Sequence, residues 1–174
     1  MNWDIIHNYW PIYLQGALTS FRISISVIIC ATILGYFIAL MRLSSFRILR
    51  AVSFVYVWVF RGIPIMLVLF WVYYATPFGL KLTAFMAGLT AMSMASAAFK
   101  SEIIRAGLLA VDKGQQEAAE AIGMNPWQKM IRITLPQAVR IVLPPYINNS
   151  VIILKESAQV SIITVPDLML GVQR

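Results

Sequence analysis

Few side chains in this sequence could do chemistry, and most stand apart from its hydrophobic majority. Arg61 interrupts an apolar run with Gly62 and Pro64 beside it, and Asn148, Asn149 and Ser150 form a polar triplet inside another. Half of the remaining acidic and basic groups crowd between Lys100 and Arg140, among them Glu102, Glu117 and Glu120. General acid–base catalysis needs convergent groups that titrate near neutrality, and a guanidinium with two carboxamides is a poor set for it. His7 is the single histidine and Cys30 the single cysteine. A metal cluster of the Cys/His kind, a His-Glu-x-x-His site and a disulfide framework are therefore not expected. His7 instead reads as an interfacial side chain. There is no Gly-x-x-x-x-Gly-Lys-Ser/Thr phosphate loop, so ATP hydrolysis by that device is not expected of this chain.

Amides and charges within hydrocarbon must face protein or water. For Asn148, Asn149 and Ser150 two readings follow: hydrogen bonds between helices, or the lining of a translocation path. Arg61 also has two. A chain lying along the membrane interface up to residue 62 would let Arg61 snorkel to headgroups, and the crossing part would start near Ile63. A kinked helix would instead turn Arg61 toward a pathway, because Gly62 and Pro64 disfavour an unbroken helix. The first reading is preferred.

The elements that must position these groups are membrane helices. The chain of 174 residues is 60% hydrophobic and 12% charged, against about half and a quarter in soluble domains. Its mean hydropathy is +0.77. Apolar runs too long for soluble core helices, without alternating ten-residue strands, point to an all-α integral membrane bundle and away from a β-barrel. Residues 1–16, with Trp3, Tyr9, Trp10 and Tyr13, read as an N-terminal interfacial segment. Met1 has no basic region behind it, which argues against a cleaved signal peptide. Four spans are expected, near residues 21–41, within 51–76, near 82–99, and from about 141 to 154 and beyond. In the third, Ala84, Gly88, Ala91, Ala95 and Ala98 form a narrow small-residue face suited to close helix packing. The net charge of +7 belongs to the connections between spans rather than to nucleic-acid binding. No Lys or Arg precedes Arg22, and Arg42, Arg47 and Arg50 cluster after the first span. The N-terminus is therefore expected outside, and the 42–50 cluster and the basic 100–140 connection inside.

Within that connection, residues 112–136 form a cassette. Residues 115–122 are rich in helix formers. Gly123 suits the left-handed position that ends a helix, Asn125 is a good N-cap, and Pro126 fits the first helical position. A second helix is expected from 126 to 133, ending before Leu135-Pro136. This helix–Gly–helix elbow carries Ala118, Ala119 and Ala121, which could seat deeply in a groove, with Glu117 and Glu120 for charge pairing. It would equally suit a plain amphipathic connector.

Glu117-Ala118-Ala119, Gly123, Ile133 and Leu135-Pro136, at this spacing, resemble the EAA motif of permease subunits of bacterial ABC importers. Arg61-Gly62-Ile63-Pro64, Ser101-Glu102-Ile103-Ile104-Arg105-Ala106-Gly107 and Gly114-Gln115 are similar to the polar amino-acid uptake branch, and Met41-Arg42-Leu43-Ser44-Ser45-Phe46 more weakly to glutamate and aspartate permeases. The resemblance spans the chain from about residue 15. It implies a type I (MetI-like) importer membrane domain over residues 17–174 in the bacterial inner membrane. Glu117, Ala118, Ala119 and Gly123 would contact a cytoplasmic ABC ATPase dimer, which uses the ATP; this chain would bind no cofactor. A second permease subunit, identical or not, and an extracytoplasmic solute-binding protein complete the implied assembly, with membrane lipid around it. The family continues into a further helix after a stretch like Leu168–Arg174, so a fifth span is expected that this sequence does not contain. The same machinery could import another small solute, and a passive anchor or channel is a weaker reading that the intact motif disfavours.

Overall fold

The computed structural model describes residues 3–75, 77–79 and 81–163, and every regular element among them is helical. The first, α1 (Trp3–Leu43), is 41 residues long, and its part from Tyr13 to Leu43 is apolar and long enough to cross a membrane. It runs without a break across residue 16. At its end the Phe46 amide donates to Ser44 Oγ at 3.1 Å, a local turn that redirects the chain.

The next helix, α2 (Arg47–Gly62), is amphipathic: Ser53 and Val57 are buried, while Ile48, Val52, Val55 and Trp58 are exposed. It breaks at Gly62-Ile63-Pro64, and α3 (Ile65–Tyr74) leaves at 103° to it. Pro64 caps α3, where its missing N–H costs nothing. A break at this place is what both readings of the region require. With ten residues, α3 reaches only about 15 Å by itself, roughly half the hydrocarbon thickness.

α4 (Ala84–Leu109) starts on Thr83, whose hydroxyl accepts from the Met86 amide at 3.4 Å. Of the small-residue face, Gly88, Ala91, Ala95 and Ala98 are buried and Ala84 is half-buried. α4 packs on α1 in the most extensive helix pairing among the described residues. The contacts set its direction. A Cβ on Gly88 would meet Ile23, and one on Gly35 would meet Lys100 and the backbone of Ala97 and Ser101; Arg42 reaches Glu102. Residue numbers rise together, so α1 and α4 are parallel and their basic C-terminal ends lie at the same end of the bundle. α4 also runs ten residues past the expected end of the third span, which makes Lys100, Glu102 and Arg105 part of the helix rather than of a connection.

Beyond it come α5 (Lys113–Ala121), α6 (Pro126–Lys129), a π turn (Met130–Thr134) and α7 (Leu135–Glu156), closed by a 3₁₀ segment (Ser157–Ile163). The second cassette helix was expected to stop before Leu135-Pro136, but it continues through the π turn into α7. Pro136 falls in the first turn of α7, and the wider π turn ahead of it accommodates a residue that can donate no hydrogen bond. Pro144 and Pro145 likewise sit inside α7 without ending it. α7 runs antiparallel to α4, since Val142 lies against Gly107 and Ser150 against Lys100. Two apolar clusters hold the bundle. Ile23, Val27, Leu69, Met92, Ile153 and Val160 form one, and Ala31, Ile38, Val57, Ala97 and Ala98 the other, toward the basic end. The stretch Leu168–Arg174 lies outside the described residues.

Candidate coupling elbow and intramembrane cavity

The elbow is built almost wholly from local backbone chemistry. Asp112 caps α5, accepting from the amides of Gly114 at 2.6 Å and Gln115 at 3.3 Å. At the far end Gly123 has φ +78°, a left-handed backbone that strains any residue with a Cβ. The Gly123 amide donates to the Glu120 carbonyl at 2.9 Å and the Met124 amide to that of Ala119 at 3.0 Å, the paired bonds of a Schellman ending. Two residues on, Asn125 and Gln128 form a reciprocal capping box at 2.9 and 3.1 Å, with Pro126 in the first turn. Glu120 and Lys129 join the two arms by a close ion pair.

Of the motif residues, Ala119 is buried, while Glu117, Ala118 and Gly123 are exposed. Exposed beside them are two large apolar side chains, Ile122 at 75% and Trp127 at 72%. The elbow therefore presents an acidic and apolar tip on a rigid frame. Ile122 and Trp127 were not singled out from the sequence, although both flank the helix-ending Gly123–Pro126 signal.

The polar triplet of α7 divides. Asn148 and Asn149 border a cavity of about 530 Å³ with Arg61 and Glu102. Asn149 also borders an adjoining cavity of about 450 Å³ with Arg61, Pro64, Ser96, Phe99 and Glu156. The Asn149 Oδ1 atom is buried and accepts no hydrogen bond. Ser150 turns elsewhere and accepts from Lys100 Nζ at 3.2 Å. Asn148 and Asn149 thus border open space, while Ser150 bonds across to a neighbouring helix.

Arg61 lies over the Phe99 ring with its guanidinium carbon 5.2 Å from the centroid, a cation–π contact. It borders both cavities, at the kink of the α2–α3 pair, so it faces the cavities as well as standing at the end of the amphipathic helix. At the basic end Glu102 accepts from Arg105 Nε at 3.2 and 3.1 Å and from its Nη2 at 2.7 Å, and pairs with Arg42 at 3.5 Å.

Lys100 is the site residue that sequence reading missed. It has no exposed surface, and its ammonium sits 3.5 Å from the centroid of the Tyr146 ring. The Tyr146 hydroxyl shares a 2.7 Å hydrogen bond with Thr32, which links α4, α7 and α1 through one buried cation.

The chain belongs to the family of binding-protein-dependent transport system inner membrane components, whose model matches residues 31–173. It is 36% identical over 97% of its length to 78% of a probable amino-acid ABC transporter permease protein, YckA, of Bacillus subtilis. A putative glutamine transport system permease protein, GlnP, of Rickettsia bellii is 40% identical over 89% of this chain and 72% of its own. The arginine transport system permease protein ArtQ of Bacillus subtilis is 40% identical over 91% of this chain and 74% of its own. A crystal structure of an amino acid ABC transporter with histidines superimposes with a TM-score of 0.92 at 35% identity, covering 99% of this chain and 81% of that one.

Proposed function

We propose that this chain is the membrane subunit of an ATP-driven importer of polar amino acids. In this reading the Arg61–Asn149–Glu156 cavity is the solute's way through, and the 112–136 elbow receives the power stroke. The observation that carries it is the lining of the cavity. A free amino acid carries a carboxylate and an ammonium, and the cavity lining offers Arg61 for the first and Glu156 for the second, with the Asn149 carboxamide also in the lining. Ordinary apolar ligands would leave all three desolvated and unpaired. The relatives named above for amino-acid, glutamine and arginine transport support the solute class.

The elbow, with Glu117, Ala118, Ala119 and Gly123, docks on a cytoplasmic ATPase, and the exposed Ile122 and Trp127 enlarge that contact. ATP is bound and hydrolysed there. A second permease subunit and an extracytoplasmic solute-binding protein complete the transporter, with the N-terminus outside and the elbow inside. Two parallel helices ending in Arg42 and Arg105 at the elbow's end support that orientation.

The test is uptake of labelled amino acids into proteoliposomes holding the complete transporter. Arg61→Gln and Glu156→Gln should each cut uptake at least about tenfold, the scale of one lost charge-assisted hydrogen bond, while the ATPase still co-purifies. Full uptake by both variants would remove the cavity from the path.

A further inference from the structure

We propose that a further cavity, at the basic end of the bundle, holds the headgroup of an anionic phospholipid. The cavity measures about 800 Å³ and lies between the end of α1, the start of α2 and the end of α4. Arg42, Arg47, Arg50 and Arg105 line it, together with apolar Leu43, Phe54, Val55 and Leu109. Arg61 borders the solute cavities and not this one, with a smaller cavity of about 430 Å³, lined by Arg42, Phe54, Arg61 and Phe99, lying between them.

The charge here is not internally balanced. Glu102 takes both Arg105 and Arg42, and among the described residues no carboxylate pairs with Arg47 or Arg50. Arg42 is held by its stack on the Phe54 ring, 4.6 Å from the centroid, yet its Nη1 is buried without a hydrogen-bond acceptor. Guanidinium groups present paired donors that match phosphate oxygens, so the polar half of this cavity fits a phosphate-bearing ligand.

The apolar half decides which one. Leu43, Phe54, Val55 and Leu109 are 40–60% exposed around the arginines. A free phosphate would leave that surface bare, whereas a phospholipid covers it with an acyl chain while its phosphate meets Arg47 and Arg50. α2 presents both surfaces along one amphipathic helix, and basic pockets at the ends of membrane helices select anionic headgroups.

Native mass spectrometry of the detergent-purified chain, offered equal amounts of phosphatidylglycerol and phosphatidylcholine, tests this. The wild-type chain should retain phosphatidylglycerol about 25-fold over phosphatidylcholine, from about a factor of five for each of the Arg47 and Arg50 contacts. The Arg47→Gln/Arg50→Gln double variant should fall to near-equal retention, and either single variant should fall part of the way if the double variant does not fold. Lys81→Gln, at the opposite end, should keep the preference. Millimolar inorganic phosphate should displace little of the lipid. No preference in the wild-type chain, a preference that survives the arginine substitutions, or ready displacement by phosphate would each overturn the proposal.

Discussion

Lys100 on α4 points its ammonium at the face of the Tyr146 ring on α7 from 3.5 Å. Ser150, one turn further along α7, supplies its hydroxyl at 3.2 Å. A fully buried ammonium with a ring face and one hydroxyl for company is held at a considerable desolvation cost. Whatever removes one of the two contacts should therefore be felt strongly.

Tyr146→Phe keeps the ring and loses the bond to Thr32, so it should cost about 1 kcal/mol. Tyr146→Ala leaves the cation facing a void and should cost at least about 3 kcal/mol. Adding Lys100→Met to Tyr146→Ala should recover part of that loss, because the stranded charge is gone. Thermal unfolding of the purified transporter, followed by tryptophan fluorescence, gives the order. Equal midpoints for Tyr146→Phe and Tyr146→Ala would refute the role of the ring.

At Gly35 the two parallel helices touch. A Cβ there would lie 3.0 Å from the Ala97 carbonyl oxygen and 3.2 Å from the Ser101 amide nitrogen, both backbone atoms that cannot step aside. Gly35→Ala should destabilise by about 1–3 kcal/mol, the cost of overpacking a close contact, and Gly35→Val by more. The same unfolding measurement, with no loss of midpoint for Gly35→Val, would show that α1 and α4 can part without penalty.

Gly123→Ala forces a side chain into a left-handed backbone and should weaken the elbow by about 1–2 kcal/mol. Asn125→Ala removes the cap on the Gln128 amide, worth about 1 kcal/mol. Neither touches the membrane core, so the cost should be local. Hydrogen exchange should quicken at residues 119–129 and stay as it was in α1 and α4. Uniformly faster exchange would mean that the elbow is not an independent frame.

These local features were open to the sequence because they are set within a few residues. The glycine ending, the Asn125–Pro126 start and the break at Gly62–Pro64 each follow from the φ or the missing donor of one residue. The destination of Lys100 was not legible in that way. A lysine at the end of an apolar run looks like the flank of a span until Tyr146 and Thr32 arrive from other helices. Asn149 and Ser150 were grouped as one polar patch, yet neighbours on a helix point about 100° apart, so they had to part. The continuation of α6 into α7 depended on a π turn, which no propensity signals.

The docking role of the elbow is the central claim, and Glu117 gives the cleanest probe because it is exposed at the first position of the motif. The measurement is co-purification of the ATPase with the tagged permease, alongside ATP-driven uptake, for Glu117→Lys. The account predicts loss of both with an unchanged unfolding midpoint. Retention of the ATPase and of uptake at the wild-type level would contradict it.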